Sequence, residues 1–111
     1  MRSALVFLVL LLSACEGSFV TVSDVGRKAK IEKSFAARDA CLARNAAADV
    51  TSDADAATIA RAVALACAPE TEKLVDATNR DGDAQVAASI RQNSEFRAMK
   101  YVMKARGQAI F

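Results

Sequence analysis

Apolar side chains are spread along this chain in two ways. From Ala4 to Leu12 they form an unbroken run, ALVFLVLLL; from Asp24 onward they recur every three or four positions among charged and small residues. The run is too short to span a bilayer, which takes about 20 apolar residues. The recurring pattern is that of helices with one buried face. Ile31, Phe35, Leu42 and Ala46 share a face and predict a first helix over residues 24–48, with Ser23 as its N-cap. Arg38 falls at the same angle and is expected to lead its charge out of the core along its stem. Asp49 to Asp53 reads as a loop, and Ser52 with Asp55 three residues on is a capping-box variant that opens a second helix. Ile59, Val63, Ala66 and Cys67 form its stripe, with Leu74 two turns further on. Pro69 interrupts it, because proline removes a helical hydrogen bond and clashes with the preceding turn. The helix therefore either kinks there or ends near Cys67 and restarts, with helicity resuming through Asp76. Asn79 to Asp83 is a break in which Asp81 or Asp83 caps a third helix. Val86 and Ile90 make the apolar face of that helix, and Ser94 offers a renewed cap. The reading is all-α, a small hairpin or bundle of three to four helices.

The leading run has the parts of an export signal: Met1-Arg2 as the charged end, an apolar middle, then Ser13-Ala14. Its last four residues, Leu12-Ser13-Ala14-Cys15, resemble the lipobox of bacterial lipoproteins. The resemblance implies that residues 1–14 are removed and that Cys15 is acylated. Residues 15–23 would then be a tether and 24–111 a single domain. An ordinary cleaved signal is the alternative, and it places bulky Leu12 where a small residue is wanted. Glu16, not aspartate, follows the cysteine; by resemblance to enterobacterial sorting this implies the outer membrane, facing the periplasm.

Three cysteines are an odd number for an exported chain. Acylation of Cys15 leaves Cys41 and Cys67 as one pair in an oxidising compartment, and a disulfide is the expectation. Two separate buried thiols are the alternative. A metal site is not expected, since two thiols without any histidine do not complete a zinc site. The pairing carries a geometric difficulty. Cys41 lies about seven residues before the loop and Cys67 about fourteen after it, so the helical arms differ by roughly 10 Å at 1.5 Å per residue. Either the loop absorbs the difference or the helices cross. The segment CLARNAAA…ARAVALACAPE is also similar, over residues 35–76, to small exported proteobacterial proteins that pair two cysteines across an alanine-rich hairpin. That resemblance implies a fold and no activity.

Of the 97 residues from Cys15 onward 23 are alanine, so the core is thin and in need of a staple or a partner. The formal net charge is +2, one unit less without Arg2, which gives no general case for nucleic acid. Charge falls in blocks: mostly basic over 27–44, mostly acidic over 45–83, basic again over 84–111. This order suits an antiparallel bundle whose middle section lies against its neighbours.

Candidate chemistry is sparse. There is no histidine, no G-x-S-x-G or H-E-x-x-H, and only four glycines. Asn79 to Asp83 fails as a calcium loop, since Ala77 and Ala88 stand where its first and last carboxylates belong. No catalytic residue, cofactor, metal or small-molecule substrate is predicted, and the chain is not expected to be an enzyme. The best candidate contact surface is the final helix. There Arg97, Lys100 and Lys104 form a narrow basic stripe, with Phe96, Met99, Tyr101, Val102 and Met103 around the rest. Such a helix is either a core element with solvated cations or a dock for an anionic surface. The function expected is a lipid-anchored, periplasmic module of the cell envelope that is structural or meets another protein. The alternative is a small membrane-active lipoprotein of the toxin or entericidin kind.

Overall fold

A computed structural model of the chain describes residues 22–108, with side chains from Val25 onward. The leader, Cys15 and the terminal Ala109 to Phe111 lie outside the described residues. Within them the chain is all-α: α1 (Val22–Ala48), α2 (Ala56–Ala66), α3 (Ala68–Thr78) and α4 (Ala84–Ala105).

Most helix boundaries have a local cause. Ser23 lies inside α1, not at its cap, because the helix already includes Val22. At the start of α2 it is Asp55 that caps, accepting the Thr58 amide at 2.6 Å. Ser52, predicted for that role, instead accepts the Ala54 amide and donates its own amide to the Asp49 carbonyl. A carboxylate is a strong acceptor for a helix's first amides, and Asp55 stands at the residue where the helical backbone begins. The loop thus runs over 49–55, longer than the sequence pattern suggested. Of the two outcomes open at Pro69, the helix breaks: α2 ends at Ala66, Cys67 is the joint, and proline sits in the first turn of α3, where its missing N–H costs no hydrogen bond. Asp83 caps α4 through the Gln85 and Val86 amides. Gly82 supplies the positive φ, 68°, that the preceding turn needs. The chain leaves α4 through Gly107 at φ 69°, with the Gln108 amide on the Met103 carbonyl and the Gly107 amide on that of Lys104, the paired bonds of a Schellman ending.

Three arms result. The Arg27 guanidinium reaches the Thr78 carbonyl and Cys41 joins Cys67, so α3 runs antiparallel to α1. Arg91 meets Glu72, and Arg106 reaches the Ser52 and Ala54 carbonyls, so α4 runs antiparallel to the α2–α3 arm. Asp39 meets Arg97, while Phe35 lines one cleft with Val86 and Ile90, so α1 and α4 run parallel. The acidic middle section is the arm that both basic sections flank.

The main core holds Cys41, Leu42, Ala46, Ile59, Ala60, Val63, Cys67, Ala98 and Val102. Leu74, Val75 and Ala87 are buried outside that cluster. Several expectations for the buried faces are corrected. Ala66 is exposed and Ala60 takes its place. Phe35 is 36% exposed. In α4 the buried line is Ala87, Ser94, Ala98 and Val102; Val86 is exposed and Ile90 half-buried. Small side chains at Ala87 and Ala98 let α4 come close to its neighbours, and the larger residues beside them are pushed to the edge. Ser94 renews no cap, since α4 is continuous through it.

Candidate interaction surface

The Cys41–Cys67 disulfide forms, with Cα atoms 5.9 Å apart. Its span is made possible in two ways. The longer loop shortens the second arm, and the break at Cys67 lets α2 pack mainly on α4 while α3 packs on α1. Asn45 donates to the Cys41 carbonyl at 2.9 Å and lies 3.5 Å from both sulfurs. Glu70 also comes close to the two sulfurs, but sulfurs bonded to each other present no thiolate to an ion.

Arg38 does not lead its charge to solvent. It is fully buried, 0% exposed. Its Nε and Nη2 both donate to Asp39 Oδ1, at 3.2 and 3.1 Å, and Nη1 donates to Ser94 Oγ at 3.3 Å. The Phe35 ring lies 5.0 Å from the guanidinium and covers it. Ser94 donates to the Ile90 carbonyl, and its hydroxyl lies 3.1 Å from that of Thr71. One hydroxyl carries one proton, so Thr71 is the donor in that last bond and Ser94 Oγ accepts from both Thr71 and Arg38. α1, α3 and α4 thus each contribute one residue, Arg38, Thr71 and Ser94, to a buried polar layer beside the apolar core. Burial of so costly a group is tolerated because its charge is paired and hydrogen-bonded.

The predicted stripe is split by this layer. Arg97 is drawn inward, its Nη1 on Asp39 Oδ2 at 3.1 Å, so one carboxylate serves two guanidinium groups. Lys100 and Lys104 are exposed. Lys100 lies 5.9 Å above the Phe96 ring, and Phe96 is itself 57% exposed. Arg97, Lys100, Lys104 and Tyr101 together line one shallow cleft of about 290 Å³. With Arg97 paired to Asp39, the two lysines are the cations at its rim that would meet carboxylate or phosphate oxygens. A wider cleft of about 660 Å³ lies between α1 and α4, where Phe35, Val86 and Ile90 form apolar wall and Arg97 stands at one side. None of the described helices is long and apolar enough to cross a membrane.

Two carboxylates titrate lower than usual. Hydrogen bonds from Thr58, from its side chain first and its amide second, hold Asp55 down. The hydrogen bond from Arg91 does the same for Glu72, and Glu72 raises Arg91 in turn. A carboxyl depressed by folding contributes stability above its unfolded value, and that contribution is lost as pH falls through the folded one. Stability should therefore be flat through neutral pH and begin to fall below about pH 4. A thermal-melt series against pH checks this, and Asp55→Asn with Glu72→Gln should flatten the acid limb.

Neither a family model, a curated protein nor a solved structure matches the chain.

Proposed function

We propose that the protein is a lipid-anchored module of the bacterial envelope that presents the basic edge of α4 to an acidic protein partner. The observation that carries this reading is the buried disulfide. It uses two of the chain's three cysteines and accords with an oxidising compartment. Cys15, at the end of Leu-Ser-Ala-Cys, is the third and is the residue we assign to acylation. Nothing in the reading calls for catalysis, cofactor or metal. The lipid would hold the chain at a membrane, in our reading the outer one, facing the periplasm.

The direction of α1 favours a protein partner over the anchoring bilayer. From Val22 to Asp39 the helix rises about 25 Å at 1.5 Å per residue. Arg97 is level with Asp39, and Lys100 and Lys104 lie further along the parallel α4. The stripe therefore lies toward the end of the bundle remote from the start of α1. The membrane-active alternative has less support, because α4 gives Ala98 and Val102 to the core and is not a free peptide.

Intact mass of the membrane fraction should show a chain beginning at acylated Cys15; a soluble, unmodified mature chain would end the anchor reading. For the surface, a photoreactive residue at Tyr101 should give a protein adduct in cells that Lys100→Glu/Lys104→Glu abolishes. Surface cations contribute about 1 kcal/mol each to binding anionic surfaces, so the double reversal should weaken capture at least about tenfold. Adducts to lipid alone, or none, would sink the partner reading.

A further inference from the structure

The side of the bundle where α2 lies against α4 carries two of the most exposed large apolar side chains among the described residues, Leu65 at 76% and Phe96 at 57%. Leu65 lines one cleft between the helices and Phe96 the next, and the two clefts meet at Glu95. Arg61 of α2 stands in the same cleft as Phe96 and Glu95 of α4. Arg61 and Glu95 are exposed, of opposite sign and within one cleft, yet the ion pairs of the described residues include neither. A face with exposed apolar anchors and one charge of each sign on neighbouring antiparallel helices is complementary to itself.

We infer that this face joins two copies of the chain in an isologous dimer. α2 and α4 run in opposite directions, so a two-fold axis lying along their groove sets α2 of each copy on α4 of the other, at the same level and again antiparallel. Arg61 then meets the partner's Glu95, and the same pair forms a second time across the axis. Phe96 enters the partner's cleft beside Ala60, where the small side chain leaves room for a ring. Leu65 covers the partner's α4 near Arg91, which Glu72 holds in place. The face adjoins the Lys100–Lys104 cleft, since Lys100 lies over the Phe96 ring, whereas Arg61 and Glu95 line only the clefts between α2 and α4, so exchanging them tests the dimer separately from that edge. Dimerisation does not depend on the acyl anchor, although confinement to a membrane would raise the local concentration of the two copies.

The test uses the full chain, produced with its leader, extracted in mild detergent and sized by analytical ultracentrifugation across a dilution series. A concentration-dependent dimer is expected. Arg61→Glu alone and Glu95→Arg alone place like charges opposite each other and should each weaken it about tenfold or more. The double exchange restores opposite charges and should return the dimer toward its original strength. Phe96→Glu should abolish it, with the helical circular dichroism and melting profile of the variant serving as the check on folding. A monomer at every concentration would overturn the inference. So would a dimer indifferent to Phe96→Glu, or single exchanges that the double exchange fails to rescue.

Discussion

Asp39→Ala lowers the stability of the domain by about 3 kcal/mol, although Asp39 is itself partly exposed. The cost arises on its neighbour. Without that carboxylate, Arg38 keeps a buried guanidinium whose remaining partner is the Ser94 hydroxyl. Breaking a buried ion pair by removing one member costs about 3–5 kcal/mol, because an uncompensated charge stays in the interior. The lower figure applies because Asp39 is reached by water. Arg97, which also uses Asp39, is 41% exposed and returns to solvent at little cost. Arg38→Met should behave in the opposite way. It removes the charge with its need for a partner, fills a similar volume, and leaves Ser94 and Thr71 bonded to each other and to the Ile90 carbonyl. Its stability should lie within about 1 kcal/mol of the parent or above it. The double variant Arg38→Met/Asp39→Ala should match Arg38→Met, not the sum of the two. Denaturant midpoints of the three variants decide the matter. For a domain of this size 3 kcal/mol corresponds to a fall in Tm of at least about 12 °C. Equal losses for Asp39→Ala with and without Arg38 would mean that the carboxylate acts through something other than the buried charge.

Removal of the disulfide by Cys41→Ala/Cys67→Ala should cost about 3–4 kcal/mol. The bond closes a loop across a sequence separation of 26, and the entropy it removes from the unfolded chain corresponds to roughly 3.5 kcal/mol at 25 °C in the chain-entropy model. That is a large part of a total of roughly 5–10 kcal/mol for a domain this small. The loss should be felt most where the bond joins the arms, at the Cys67 joint between α2 and α3. With the bond gone, and the Asn45 contacts to the two sulfurs gone with it, only packing holds that joint to α1. Urea unfolding of the variant beside the oxidised parent gives the number. A loss below about 1 kcal/mol would show that the core alone holds the arms together. Alkylation of both thiols under non-reducing denaturation would show that the bond is absent from the purified protein.

Much of the architecture was legible in the residues. The three-to-four periodicity of Ile59, Val63 and Cys67, the break at Pro69 and the turn at Gly82 are local signals, and they survive because nothing in the tertiary structure opposes them. The pairing of Cys41 with Cys67 was expected from counting the cysteines and from the oxidising compartment that the lipobox resemblance implies. The polar layer was half visible. Arg38 stands between Phe35 and Leu42, Thr71 between Cys67 and Leu74, and Ser94 between Ala87 and Ala98, each at the spacing of a buried stripe. One polar residue at a stripe position on each of three helices is a signal that they meet. Read singly, Arg38 looked like a snorkelling side chain and Ser94 like a cap. The basic stripe was placed on the right helix but taken as uniform, whereas Arg97 is held by Asp39 and only the two lysines stand out from the bundle.

Helix content, the approximate place of each break and the charge blocks were set by the sequence alone, because they depend on neighbours within a few positions or on counting; the cysteine pair was an expectation from counting that the assembled arms met. The tertiary structure decided which side of each helix is buried, which of Ser52 and Asp55 caps α2, and whether Arg38 lies in water or in the core. Alanine is the reason. It favours helix without marking a face, so in α4 the pattern of large side chains pointed to Val86 and Ile90 while close packing selected Ala87, Ser94, Ala98 and Val102. Where the buried residues are small, the fit between neighbouring helices sets the rotation of each one, and that fit exists only once the arms are assembled.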